Sequence, residues 1–110
     1  MNTEKQRIAI AEACGWKEIA DWGAGGINGK HPTEPWVEVT PDYLADLNAM
    51  HEAEKVLTVG QRIEYVRDIG FIFTGRNDRA IPDWWMIHEA TAAQRAEAFL
   101  RTIGKWEDDK

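Results

Sequence analysis

Three times in this chain a threonine is followed three residues later by a glutamine: Thr3 and Gln6, Thr58 and Gln61, Thr91 and Gln94. At that spacing the threonine hydroxyl accepts from a backbone N–H in the first turn, and the glutamine side chain returns a bond to the N–H of the capping residue. Each pair therefore predicts the start of a helix. Gly15, Gly70 and Gly104 supply the corresponding stops, because a residue without Cβ closes a helix in the left-handed region at little cost. In the last of these helices Ala92, Ala96, Phe99, Leu100 and Ile103 form an apolar stripe, and Glu97 can pair with Arg101 one turn on.

A fourth helix is expected over residues 40–57, TPDYLADLNAMHEAEKVL. Thr40 would cap it, Pro41 would fill the first position, where no donor is needed, and Asp42 would face the positive end of the helix dipole. Leu44, Leu47, Met50 and Leu57, with Tyr43 and Ala53 beside them, recur at helical spacing. Such a stripe needs a sheet or other helices to cover it. Strands are expected at 16–22, where polarity alternates imperfectly, at 36–39, where Val37 and Val39 oppose Trp36 and Glu38, and at 71–74. Residues 84–88 read either as a strand or as a helical turn leading into the last helix. The pattern implies an α+β fold with three or four mostly antiparallel strands and about four helices.

The run DLNAMHEAEKVLT at 46–58, with ATAAQRAEAFLRTIGKWED at 90–108 and IAEACGW at 10–16, resembles the small phage and prophage proteins grouped as the phage ABA sandwich domain. That resemblance implies one domain over residues 1–110, a three-layer α/β/α sandwich, and a setting in the cytoplasm of a bacterial host. It carries over no catalytic residue.

Composition limits what the chain can do. The single cysteine, Cys14, allows neither an internal disulfide nor a cysteine-based metal cluster. The first residues are too polar to open a signal peptide, and no apolar run approaches the roughly 20 residues of a membrane span. Net charge is −6. Residues 1–58 hold five Lys/Arg against ten Asp/Glu and residues 59–110 hold eight against nine. An acidic chain without a basic stripe is a poor match for a long nucleic acid, whose affinity comes from several released counterions. A small phosphorylated ligand needs only a few local cations.

No catalytic or metal-binding motif is complete. In the segment GAGGINGK at 23–30, Ala24 stands where a phosphate loop needs glycine and His31 where it needs Ser or Thr. Asn28-Gly29 instead suits a hairpin turn between strands, with a loop that closes on a ligand through Lys30 and His31 as the alternative. His51 and Glu54 share a helix face but lack a third ligand. Cys14 reads as a small buried side chain rather than a nucleophile.

Six tryptophans are the compositional outlier. Trp16 and Trp106 follow helix-ending glycines and read as packing anchors. Trp84 and Trp85 cannot both point inward on one strand, and upstream of them lie Arg76 and Arg79 in a polar turn. An aromatic face for a base and guanidinium groups for phosphate would both be present there. The alternative is a surface turn beside a core or interface tryptophan. The ligand-binding set read from sequence is therefore Arg76, Arg79, Trp84 and Trp85, with Lys30, His31 and Trp36 closing the pocket. Taken with the phage setting that the resemblance implies and by analogy to small phage sponge proteins, it suggests a non-enzymatic, homo-oligomeric protein, without cofactor or metal, that sequesters a host nucleotide immune signal such as a cyclic nucleotide or an ADP-ribose derivative. A protein that docks a host or phage partner through an exposed aromatic patch is the alternative.

Overall fold

The computed structural model describes residues 1–21, 26–75 and 84–108. Helix α1 (Thr3–Ala13) leads into β1 (Lys17–Asp21), β2 (Ile27–Lys30) and β3 (Val37–Val39), then α2 (Leu47–Glu54), α3 (Val59–Thr74), α4 (Trp84–Glu89) and α5 (Ala92–Thr102). The strands form one antiparallel sheet in the order β1-β2-β3. The fold is α+β, as the sequence patterning predicts.

Helix α5 forms the centre of the core, with α1, α2 and α3 packed around it. Its Ala92, Ala96, Ala98, Phe99 and Leu100 are buried. The alanines let neighbouring helices approach closely while Phe99 and Leu100 fill the space between them, meeting Ile10 from α1, Met50 and Ala53 from α2, and Tyr65 and Ile69 from α3. The sheet sits at the edge of this cluster, with α1 against β1. Ile27 and Gly29 of β2 are buried, whereas all of β3 is exposed.

Two of the three capping boxes form as expected. Thr58 and Gln61 exchange bonds of 3.2 and 2.9 Å, and Thr91 and Gln94 bonds of 3.1 and 2.9 Å. At α1 the cap moves one residue earlier: Asn2 accepts from the Lys5 N–H at 2.8 Å, and Gln6 turns back to the Met1 carbonyl at 3.0 Å. Asparagine is the stronger cap and takes the position from Thr3.

Three expectations give way to tertiary contacts. Thr40 does not cap a helix; its N–H and its hydroxyl both donate to the Ile27 carbonyl, at 2.8 and 3.0 Å, and close the end of the β2–β3 ladder. Asp46 caps α2 instead, accepting from Asn48 and Ala49. The second departure is at Gly70, which does not end α3. The helix runs through it to Gly75, whose φ of 72° supplies the left-handed stop, so residues 71–74 are helical rather than a strand. Gly70 itself is buried, and α3 uses it as a packing residue. Thirdly, Asn28-Gly29 lies inside β2 and is not a turn. A Cβ on Gly29 would come within 3.0 Å of Ile19 Cγ1 and 3.2 Å of the Lys17 carbonyl, so glycine is required there by close approach of β1. Residues 84–88, open between strand and helical turn, are helical.

Truncating the centre should cost far more than removing a cap. Phe99→Ala is expected to lower unfolding stability by about 3–5 kcal/mol, and Thr91→Ala by about 1 kcal/mol. Urea titrations of both variants would check the ranking.

Candidate functional site

The residues expected to bind ligand do not form one site among the described residues. Arg76 and Arg79 lie outside the described residues, as does the Trp84 side chain. Trp85, on α4, is 43% exposed and sets its edge on Phe73 of α3, with ring centroids 5.6 Å apart. Lys30, His31 and Trp36 stand together at the turn joining β2 to β3, where the His31 N–H donates to the Trp36 carbonyl.

The side-chain polar groups of Lys30, His31 and Trp36 are already engaged. Lys30 lies 3.5 Å from Glu18. His31 Nδ1 accepts from the Thr33 and Glu34 N–H groups, both at 3.1 Å, so the neutral ring carries its proton on Nε2, which faces Glu38 at 3.5 Å. Its ring packs between Trp16 and Trp36, at 5.2 and 6.2 Å, and Trp36 Nε1 donates to Glu38. A shallow cavity of about 320 Å³ adjoins His31, with Cys14, Trp16 and Tyr43 in its wall. Burial pushes the Cys14 thiol up, with the Tyr43 hydroxyl pulling weakly the other way, so the thiol is neutral and a poor nucleophile. The arrangement holds the hairpin in shape.

A second cavity, of about 370 Å³, opens where α2, α3, α4 and α5 meet. Leu57, Val66, Ile69 and Ile87 give it aliphatic walls, and Glu54, Tyr65, Arg95 and Arg62 supply polar atoms. Arg95 is only 6% exposed. Its Nε donates to the Ala90 carbonyl at 3.2 Å, one terminal nitrogen to Glu54 Oε2 at 3.1 Å, and the other to the Ile87 carbonyl. The guanidinium thus satisfies backbone carbonyls at the end of α4 that would otherwise be left open. Glu54 is shared: its other oxygen is 2.6 Å from His51 Nδ1. The pair expected from i, i+3 spacing is therefore real, and its third member is a buried arginine from α5.

Tyr65 joins this cluster. It is 5% exposed, and its hydroxyl, closed off from solvent, lies against Glu54 and Arg95 without a well-formed hydrogen bond to either. Burial pushes that hydroxyl well above the usual tyrosine range, the Glu54 carboxylate adds to the rise and Arg95 opposes it, so it remains a neutral O–H donor. Arg62, exposed on the same cavity, has no ion-pair partner among the described residues. Neither residue stands out in sequence, since both belong to an ordinary amphipathic helix. Only the i, i+3 spacing of His51 and Glu54 pointed here.

Comparison with known protein families, curated proteins and solved structures finds no match to this chain.

Arg95 and Tyr65 should respond differently to truncation. Arg95→Ala strands the Glu54 carboxylate and the α4 carbonyls, and is expected to destabilise by about 3–5 kcal/mol; Tyr65→Phe removes a hydroxyl that makes no well-formed hydrogen bond and should change stability by less than about 1 kcal/mol. Paired thermal and urea melts would distinguish the two. Cys14 in the folded protein should react with iodoacetamide at pH 8 far more slowly than in urea, measured by intact mass.

Proposed function

We propose that this protein is a non-enzymatic binding protein that takes a small nucleotide-derived ligand into the cavity between α2, α3, α4 and α5. The observation that carries the reading is the cavity itself, whose aliphatic walls adjoin the exposed Arg62 guanidinium, a group with no ion-pair partner among the described residues. It is supported by size and charge. About 370 Å³ lies at the lower end of the range of small-molecule sites. Aliphatic walls suit the flat body of a base, and Arg62 offers a free guanidinium to a phosphate. The biological role that fits is sequestration of a host nucleotide immune signal by a homo-oligomeric phage protein in the bacterial cytoplasm. The phage setting rests on the resemblance carried by residues 10–16, 46–58 and 90–108.

A second reading has its own observation. Val37 and Val39 on the edge strand β3, and Trp36 just before it, are 51, 56 and 51% exposed, a surface suited to a protein partner. That partner would meet both apolar side chains and unpaired backbone groups.

A thermal-shift screen separates the two. Cyclic mononucleotides, cyclic dinucleotides and ADP-ribose derivatives would each be added to the purified chain. A ligand present at 100 times its dissociation constant should add about 2.7 kcal/mol of stability. Recovery of that ligand unchanged after denaturation would establish binding without turnover. No shift across the panel would leave the sheet-edge reading, to be pursued by cross-linking, with light scattering to give the oligomeric state.

A further inference from the structure

The backbone of β3 narrows what can dock on the sheet, on the premise that this edge is an interface; the cavity plays no part. Hydrogen bonds in an antiparallel pair alternate, so each residue turns its N–H and C=O either to the neighbouring strand or away from it. The His31 N–H donates to the Trp36 carbonyl and the Thr40 N–H to the Ile27 carbonyl. With Gly29 opposite Glu38, these bonds make Trp36, Glu38 and Thr40 the residues that face β2. The backbone groups of Val37 and Val39 therefore point outward, and they meet no backbone partner among the described residues. Prolines close both ends of that row: the next outward positions are Pro35 and Pro41, which have no N–H to give. The other edge is not open in this way, because β1 is interrupted by a register shift between Lys17 and Ala20, with Glu18 at a φ of 51°.

We infer that β3 receives an extended segment of another protein as a fourth, antiparallel strand, in which an arginine or lysine stands between two apolar residues. The apolar residues exchange backbone bonds with Val37 and Val39 and cover the exposed valine side chains on one face of the sheet. The residue between them sits directly opposite Glu38, in the pair that makes no backbone bonds and brings side chains closest. Glu38 is exposed, and the Trp36 indole N–H donates to it at 3.2 Å, so a cation there meets both a carboxylate and an aromatic ring. Local charge favours it. Residues 31–42 hold Glu34, Glu38 and Asp42 and no lysine or arginine, and Lys30 is paired with Glu18. A second copy of this chain does not fit the same edge. Paired about Glu38, two copies would set their carboxylates opposite each other, and a shift of two residues either way would put Pro35 or Pro41 opposite a valine and lose a donor.

The test is NMR of the full, isotope-labelled chain titrated with the capped pentapeptide Thr-Ile-Arg-Ile-Thr, the same peptide with glutamate in place of arginine, and the arginine peptide N-methylated at both isoleucines. The arginine peptide is expected to slow amide exchange at Val37 and Val39, with the glutamate peptide about tenfold weaker and the N-methylated peptide without effect. In Glu38→Arg, an exposed substitution whose melt serves as the folding control, the preference between arginine and glutamate should reverse. Equal affinity for those two peptides, or a preference that survives Glu38→Arg, would overturn the basic partner and leave the sheet edge as an interface. Binding of the N-methylated peptide would overturn strand addition and leave only the apolar patch. Protection of Val37 and Val39 that grows with protein concentration alone would overturn the foreign segment in favour of a second copy. No change at β3 with any peptide would overturn this inference and the sheet-edge reading together.

Discussion

The interaction on which the rest depends is the burial of Arg95. A guanidinium removed from water is costly unless its donors are met and its charge is balanced. Here both conditions hold at once: two carbonyls at and just beyond the end of α4 accept from it, and Glu54 of α2 neutralises it. A residue on the central helix thereby fixes the positions of two others. Helix α4 spans only six residues, too few to be stable alone, so a carbonyl-binding arginine and the contact with α3 are what hold it.

The same cluster creates the cavity. Glu54 and Arg95 pair beneath α3, and Tyr65 is buried against them, its hydroxyl closed off from solvent beside the carboxylate and the guanidinium. The sheet contributes differently. It meets the helical core through Ile19 of β1, beside Trp16 just ahead of that strand, and it presents β3 to solvent with two valines, and Trp36 just before them, uncovered.

Local chemistry made much of the helical framework legible. Thr58 and Thr91 cap as their spacing requires, and the stripe of α5 is buried almost residue for residue. Where the reading went astray, a distant partner had intervened. Thr40 looks like a cap until Ile27, thirteen residues earlier, claims both its N–H and its hydroxyl. Asn28-Gly29 looks like a turn until Ile19 and the Lys17 carbonyl press against Gly29. Gly70 looks like a stop until burial makes it an interior contact. The site was less legible still. His51 and Glu54 could be paired by counting, but Arg95 lies 41 residues beyond Glu54, and Tyr65 carries no signal of its own.

What the sequence by itself determined is the set of elements whose evidence lies within one or two turns: caps, apolar stripes, the short β-branched strand at 37–39, and the acidic charge that disfavours long nucleic acids. Those depend on interactions between near neighbours, which spacing alone specifies. Only the tertiary structure decided which glycine ends a helix, which threonine caps one, and where a cavity opens. Each of these depends on what a side chain meets from far along the chain, and a buried hydroxyl or guanidinium acquires its meaning only from the partners that burial supplies or withholds.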